Sequence, residues 1–282
     1  MQTILGLYIS FSPGNSLCQD AAVIAMEACI ADIKKWTQQN SLMLNDDKTE
    51  FIVIGTRQPL DKVNVMSIRL GNHLITKSRC VRNLGLWFND TFDTSQHVTA
   101  SFFQLHNLRR IRKYLPQEAA ATLVHSFVTC RIDYCNSLLC GAPDYQLAKL
   151  QRVQKSAARL VYEEGKFCHI TPLLKKLHWL PITYRIRFKI ALLTYEAMSG
   201  LAPSYITDLI SIKIDVKYSL RSGNELLLNF PLRKSHSTLG DRSFNMAAPH
   251  VWNSLPIFIR RAPSLNNFKS QPKTYYFKIA YF

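Results

Sequence analysis

The stretch DYQLAKLQRVQKSAARLVYE, residues 144–163, limits the possible folds more than any other part of the chain. Wound at about 100° per residue, Leu147, Leu150, Val153, Ala157, Leu160 and Val161 fall within one arc of about 140°. Lys149, Arg152, Lys155 and Arg159 occupy the opposite arc. The segment therefore predicts a helix that buries one side and keeps a cationic stripe on the other. Helices of this length gain most of their stability from packing, so the apolar side requires helical neighbours. The stripe fits either an ordinary solvated surface or a track along a phosphate backbone.

The flanking sequence predicts such neighbours. One helix is expected over about 94–115, stopping before Pro116. A second opens with PQEAAATLVHSF, where proline suits a first turn. Helical spacing continues through AATLVHSFVTCRIDYCNSLL. TPLLKKLHW reads as a short helix ending at Pro181. Residues 182–199 read as a nearly all-apolar, buried helix with a charged strip of Arg185, Lys189 and Glu196. From Ser211 onward the pattern is irregular, with short strands near 225–230. LNNFKSQPKTYYF forms a last helix that Pro272 is expected to interrupt.

Before Asp93 the pattern differs. Leu17, Ala21, Ile24, Ala28 and Trp36 recur at helical spacing within residues 16–40. A turn follows at Asn45–Asp47, then a strand through Phe51–Ile54, a hairpin around Gly71-Asn72, and another strand in VRNLGLWFND. The expected class is α+β: a small antiparallel sheet with a helix, then a mainly helical bundle, then a mixed C-terminal region.

Charge follows the same division. Residues 1–108 hold nine Lys/Arg and nine Asp/Glu, whereas residues 109–282 hold 26 basic and ten acidic residues, the whole net charge of +16. This imbalance favours a polyanion binder over a basic surface with no specific partner. RRIRK, residues 109–113, adds Arg109, Arg110, Arg112 and Lys113 near a helix end, where cations also suit the helix dipole. Trp36, Trp87, Trp179 and Trp252 stand in apolar runs and are expected in the core. No run of 18 apolar residues suggests a membrane span. No P-loop, dinucleotide fingerprint or nucleophile elbow is present.

Cys130, Cys135 and Cys140 in CRIDYCNSLLCGAP raise the question of metal. On a continuous helix each five-residue step turns about 140° net, so the three sulfurs diverge, whereas zinc needs converging ligands. Cys168, His169 and His178 lack a fourth nearby ligand. The cysteines number seven, an odd count for a disulfide framework, and Met1 to Phe11 lacks the basic start of a secretory signal. The expectation is no metal site, a reducing intracellular compartment (nuclear or cytoplasmic), and mostly buried, inert thiols.

Several phrases, in this order, carry a resemblance: LNDDKTEFIVIG, NLGLWFND, CRIDYCNSLLCGAP, LQRVQKSAARLV, HITPLLKKLHWLPITYRIRFKIALLTYEAM, GLAPSYITDLI and GDRSFNMAAPHVWNSLP. Together they resemble the C-terminal part of reverse transcriptases from LINE-type non-LTR retrotransposons, of the jockey and chicken-repeat sort, over almost the whole chain. The resemblance implies an end-of-palm remnant over 1–92, a thumb-like helical region over 93–165, and a C-terminal region of undefined role over 166–282. Residues 16–40 resemble the palm helix, and NLGLWFND the primer-grip region. Lys48 would lie near the nucleotide in a full enzyme.

A full enzyme of this family is an RNA-directed DNA polymerase using Mg2+ held by palm carboxylates, two of them adjacent. Aligned on Leu7-Tyr8, the adjacent pair falls near Thr3 and Ile4, and MQTILG contains no carboxylate. The resemblance thus implies no catalytic residues, no metal and no cofactor in this chain. It points to sequence-insensitive contact with RNA, DNA or an RNA–DNA hybrid. Three readings stay open: a polymerase fragment with residual nucleic-acid binding, a non-catalytic nucleic-acid-binding protein of retroelement origin, and a polymerase piece active only when completed in trans.

Overall fold

The computed structural model describes residues 5–213, 226–231 and 239–282, and its fold is α+β. The chain divides into two compact units, Met1–Asp93 and Thr94–Phe282.

In the first unit, helix α1 (Ser16–Gln39) starts at Asn15. The Asn15 side-chain oxygen accepts from the N–H groups of Leu17 at 3.0 Å and Cys18 at 3.4 Å, satisfying donors that no helical carbonyl can reach. A 3-10 turn, Asp46–Lys48, and a short helix α2 (Arg57–Leu60) follow. Two hairpins complete the unit. Strand β1 (Ser67–Leu70) pairs antiparallel with β2 (His73–Thr76), with Ile68 opposite Ile75. Strand β3 (Cys80–Asn83) pairs antiparallel with β4 (Leu86–Asn89), with Val81 opposite Phe88.

The expected single small sheet is therefore two separate two-stranded sheets. The first turns at Gly71, φ +63°, the position where a residue without Cβ is favoured. The second turns at Leu84 and Gly85, φ +47° and +84°. Two positive φ values suit the twist of a hairpin, but leucine rarely supplies one, so NLGLWF read as one strand. The strand expected through Phe51–Ile54 reduces to a single parallel bridge from Phe51 to Lys77.

Helix α1 buries the face opposite to the expected one. Ala22 and Ile30 are buried, and Ile30, with Val23 and Met26 beside it, packs against Ile68 and Leu70 of β1 and Ile75 of β2. Leu17, Ala21, Ile24, Ala28 and Trp36 are all exposed. Polar residues decide the phase. Gln19, buried, donates its amide to the carbonyls of Pro13 (2.8 Å) and Lys62 (3.0 Å) and accepts from the N–H of Asn64 (2.9 Å). Glu27 accepts from the N–H of Arg69 at 2.8 Å, fixing β1 on the same side. Truncating Ile30, 8% exposed, to alanine is expected to destabilise this unit by about 2–4 kcal/mol. Truncating Ile24, 66% exposed, should change stability by less than about 0.5 kcal/mol. Urea titrations of the two variants, followed by Trp36 and Trp87 fluorescence, measure both; the reverse order would restore the apolar-stripe reading.

The second unit is built from helices α3 (Ser95–Ile111), α4 (Gln117–Val124), α5 (Cys130–Asp133), α6 (Asp144–Tyr162), α7 (Ile170–Lys176), α8 (Ile182–Met198), α9 (Ser204–Thr207), α10 (Phe244–Asn253), α11 (Ile257–Arg260) and α12 (Leu265–Tyr281). One hydrophobic core joins Leu105 and Leu108 of α3, Val124 of α4, Val153 and Val161 of α6, Ile186 and Ile190 of α8, Trp252 of α10 and Phe268 of α12. Segments on both sides of position 165 share this core, so the division expected there is not a boundary in the packing. Helix α8 buries Ile182, Ile186, Ile190, Ala191 and Tyr195, as its composition predicts, and packs against α6, α10 and α12.

Two local expectations fail for tertiary reasons. The continuous helix expected through residues 120–139 breaks: a π turn spans His125–Thr129, α5 is short, and Cys135 takes φ +53° before a 3-10 turn at Asn136–Leu139. Asp133 is held there by Arg185 of α8 at 2.5 Å, while the same guanidinium donates to the carbonyl of Leu180 at 2.8 Å. Conversely, α12 runs through Pro272 and α10 through Pro249. An interior proline costs about 3 kcal/mol in an isolated helix. Both prolines are buried, and burial of Phe268, Tyr276 and Trp252 on the same helices offsets that cost. The irregular segment expected after Ser211 includes one antiparallel bridge, Ile212 to Leu228; residues 214–225 and 232–238 lie outside the described residues.

Candidate nucleic-acid interface

Helix α6 begins after Pro143, carries Asp144 in its first turn, and ends at Glu163 in a left-handed conformation, φ +57°. Its buried residues are Gln146, Leu150, Val153, Gln154, Ala157, Ala158, Leu160 and Val161, so the apolar arc read from the sequence faces the core. Two glutamines extend that arc, Gln154 buried and Gln151 half-buried. Gln154 donates to the carbonyl of Leu180 at 2.8 Å, and Gln151 accepts from the N–H of Ile182 at 3.0 Å, tying α6 to the start of α8.

Lys149, Arg152, Lys155 and Arg159 lie on the opposite side, within about 120° of arc. Arg152 is exposed and the other three are half-buried. None of the four makes an ion pair among the described residues. Lys149 lies 5.7 Å from the ring of Tyr145, one turn back on the same face. Arg159 differs from the others: its guanidinium donates to the carbonyl of Cys168 at 3.2 Å, holding the loop after α6 against the helix.

The RRIRK cluster separates into two roles. Arg109, Arg110 and Lys113 are exposed. Arg112 is not a free contact. Its Nε donates to the carbonyl of Leu160 at 2.8 Å, and its Nη atoms donate to those of Val161 at 2.8 Å and Leu115 at 2.7 Å. Glu163 pairs with it at 3.5 Å. The last carbonyls of a helix lack helical partners and carry its negative end, so a guanidinium there satisfies both needs. Arg112 is thus a corner brace rather than a phosphate contact, and it brings Lys113 and Tyr114 to the C-terminal end of α6.

Lys48 stands in the other unit, exposed, on the Asp46–Lys48 turn. The adjacent carboxylates on that turn do not resemble a metal pair. The carboxylate of Asp46 lies 3.5 Å from the Lys34 ammonium and 3.7 Å from Nε2 of His73, while Asp47 is exposed. Thr3 and Ile4, where the resemblance puts the catalytic pair, lie outside the described residues. The residues present do not fit a magnesium pair.

The cysteines are free, and none of the seven is fully buried, contrary to expectation. Cys18, Cys29 and Cys130 are exposed. Cys18 and Cys29 follow from the reversed phase of α1. Cys130 points its sulfur to within 3.7 Å of Nε2 of His125. Burial pushes the Cys140 thiol above its ordinary value, with the nearby Arg187 charge opposing. Among the described residues no group of three or more His, Cys, Asp or Glu side chains converges to hold a metal. Of the four tryptophans only Trp252 is fully buried, whereas Trp36 and Trp87 are exposed. The features that sequence reasoning missed are exposed aromatic rings near the ends of α6, and their only sequence signal is a tyrosine or phenylalanine directly beside, or one turn from, a lysine.

Comparison of the chain with family models, with curated proteins and with solved structures finds no match. Among the described residues no helix is long and apolar enough to cross a membrane.

Proposed function

We propose that the chain is a non-catalytic remnant of a LINE-type reverse transcriptase that binds nucleic acid without regard to sequence, inside the cell, in the nucleus or the cytoplasm. The observation that carries this reading is the stripe on α6: four cations opposite a fully packed arc, with no carboxylate partner among the described residues. Cations in a row without carboxylate partners are suited to phosphates, because each contact releases condensed counterions. The net charge of +16, all of it contributed by residues 109–282, supports the same reading. The order of the family-like phrases supports the lineage, and the absence of carboxylates in MQTILG supports loss of catalysis.

The test is a salt titration of binding. Lys149→Gln, Arg152→Gln and Lys155→Gln together are expected to reduce the slope of log K against log salt by about 0.9 per lost contact on duplex, and by about 0.7 on single strands. Arg159 is left intact because it holds the Cys168 loop. Lys269→Gln, Lys273→Gln and Lys278→Gln, exposed on α12, remove the same charge elsewhere. Equal or larger flattening in that control would show diffuse basicity rather than a track.

A further inference from the structure

Exposed aromatic rings, each beside a lysine, stand near both ends of α6. Tyr145, 61% exposed, shares the stripe's face at its N-terminal end, with Lys149 over its ring at 5.7 Å. At the C-terminal end stands Tyr114, 73% exposed, with Lys113 at 4.8 Å. Phe167, 95% exposed, follows on the next loop, with Lys166 at 5.9 Å. These rings are placed by the internal bonds already described. Arg112 fixes the Lys113–Tyr114 corner on the carbonyls of Leu160 and Val161, and Arg159 fixes the Phe167 loop through the carbonyl of Cys168.

We infer that this face selects single-stranded nucleic acid over duplex, with unpaired bases stacking on Tyr145 and Tyr114 while the cations between them follow the backbone. The inference rests on the proposed nucleic-acid reading and names its substrate class. Large rings left in water contribute nothing to the core, and a solvated cationic face has no need of them. In a duplex the bases are already stacked and only their edges are accessible. In a single strand every base offers a free face, which an exposed ring covers whatever the sequence. The flanking lysine holds the adjoining phosphate and adds a cation–π contact. Helix α6, 19 residues long, spans about 28 Å, room for several nucleotides along it.

The full chain is titrated with a labelled oligouridylate and with a fully paired RNA–DNA hybrid of equal phosphate number. Tyr114→Ala with Tyr145→Ala is expected to weaken binding to the oligouridylate at least tenfold, and binding to the hybrid less than twofold. Tyr114→Phe with Tyr145→Phe should retain wild-type binding to both, because the ring rather than the hydroxyl acts. Equal loss on both ligands, no loss on either, or loss in the phenylalanine pair would each overturn the inference. Both side chains are largely exposed, but the Tyr145 hydroxyl accepts from the buried Gln146 amide at 3.3 Å, a bond that both variant pairs lose; a melt lower in the alanine pair than in the phenylalanine pair would show that the rings are structural. The charge variant separates the two levels. An unchanged salt slope there defeats the nucleic-acid reading itself. A flattened slope with no selective effect of the tyrosines defeats only the single-strand inference.

Discussion

Replacing Arg112 with methionine is expected to destabilise the Thr94–Phe282 unit by about 3 kcal/mol while leaving the salt slope of nucleic-acid binding unchanged. The side chain is 11% exposed and its guanidinium serves the carbonyls of Leu115, Leu160 and Val161. Methionine fills similar volume but donates nothing, so the carbonyls lose their charged partner in a site that water reaches poorly. Hydrogen bonds to charged groups contribute about 1.5–3 kcal/mol each, and partial relaxation keeps the total below their sum. For a unit of this size that corresponds to a melting shift of about 6–12 °C. Lysine should not restore stability, because an ammonium cannot present the fork that reaches Leu160 and Val161 together. Arg109→Met and Arg110→Met, on exposed side chains, should leave the melt in place. The outcome that would sink this assignment is a normal melt with a flattened salt slope, since that is how a phosphate contact behaves.

Arg112 illustrates where sequence reasoning stops. Its three basic neighbours in RRIRK have the same charge and the same local spacing, and only the packing of α3 against α6 separates a brace from a free cation. The α6 stripe was legible because a long amphipathic helix with a deep core resolves its own phase. Helix α1 was not, because it carries apolar residues on both sides. Its buried side is chosen by Gln19 and Glu27 through partners more than 40 positions away. The break after Asp133 was hidden for the same reason: its ion pair is with Arg185, on a helix that the local sequence does not mention. Pro272 misled in the opposite sense, arguing for an interruption in a helix that burial of Phe268 and Tyr276 nevertheless stabilises. The exposed rings at Tyr114 and Tyr145 were masked by the general rule that aromatics go inside, a rule that applies to Trp252 and fails for Trp36 and Trp87.

Trp252→Ala is expected to destabilise the whole Thr94–Phe282 unit by about 4 kcal/mol, including helices more than 90 residues upstream. The indole is 1% exposed and stacks on Phe268 at 5.7 Å, and Phe268 in turn stacks on Tyr195 of α8 at 4.3 Å. Its N–H donates to the carbonyl of Leu226 at 2.7 Å, and the neighbouring Asn253 brackets the backbone of Leu228 with bonds of 2.9 and 3.0 Å. Truncation removes the ring volume from a core that also holds Val124, Val153 and Val161, and leaves the Leu226 carbonyl without its donor. Trp252→Phe retains most of the packing and should cost about 1–2 kcal/mol, chiefly the lost hydrogen bond. Native-state hydrogen exchange distinguishes a shared core from adjoining modules. If the core is common, the amides of Val124, Val153 and Val161 lose the same protection in Trp252→Ala as those of α8 and α10, because all open in one global event. If residues 94–165 were a separate thumb-like module, those three amides would keep their wild-type protection while only the C-terminal helices weakened. Coincident loss would also mean that a change deep in the C-terminal region lowers the stability of α6, although Trp252 lies on another helix.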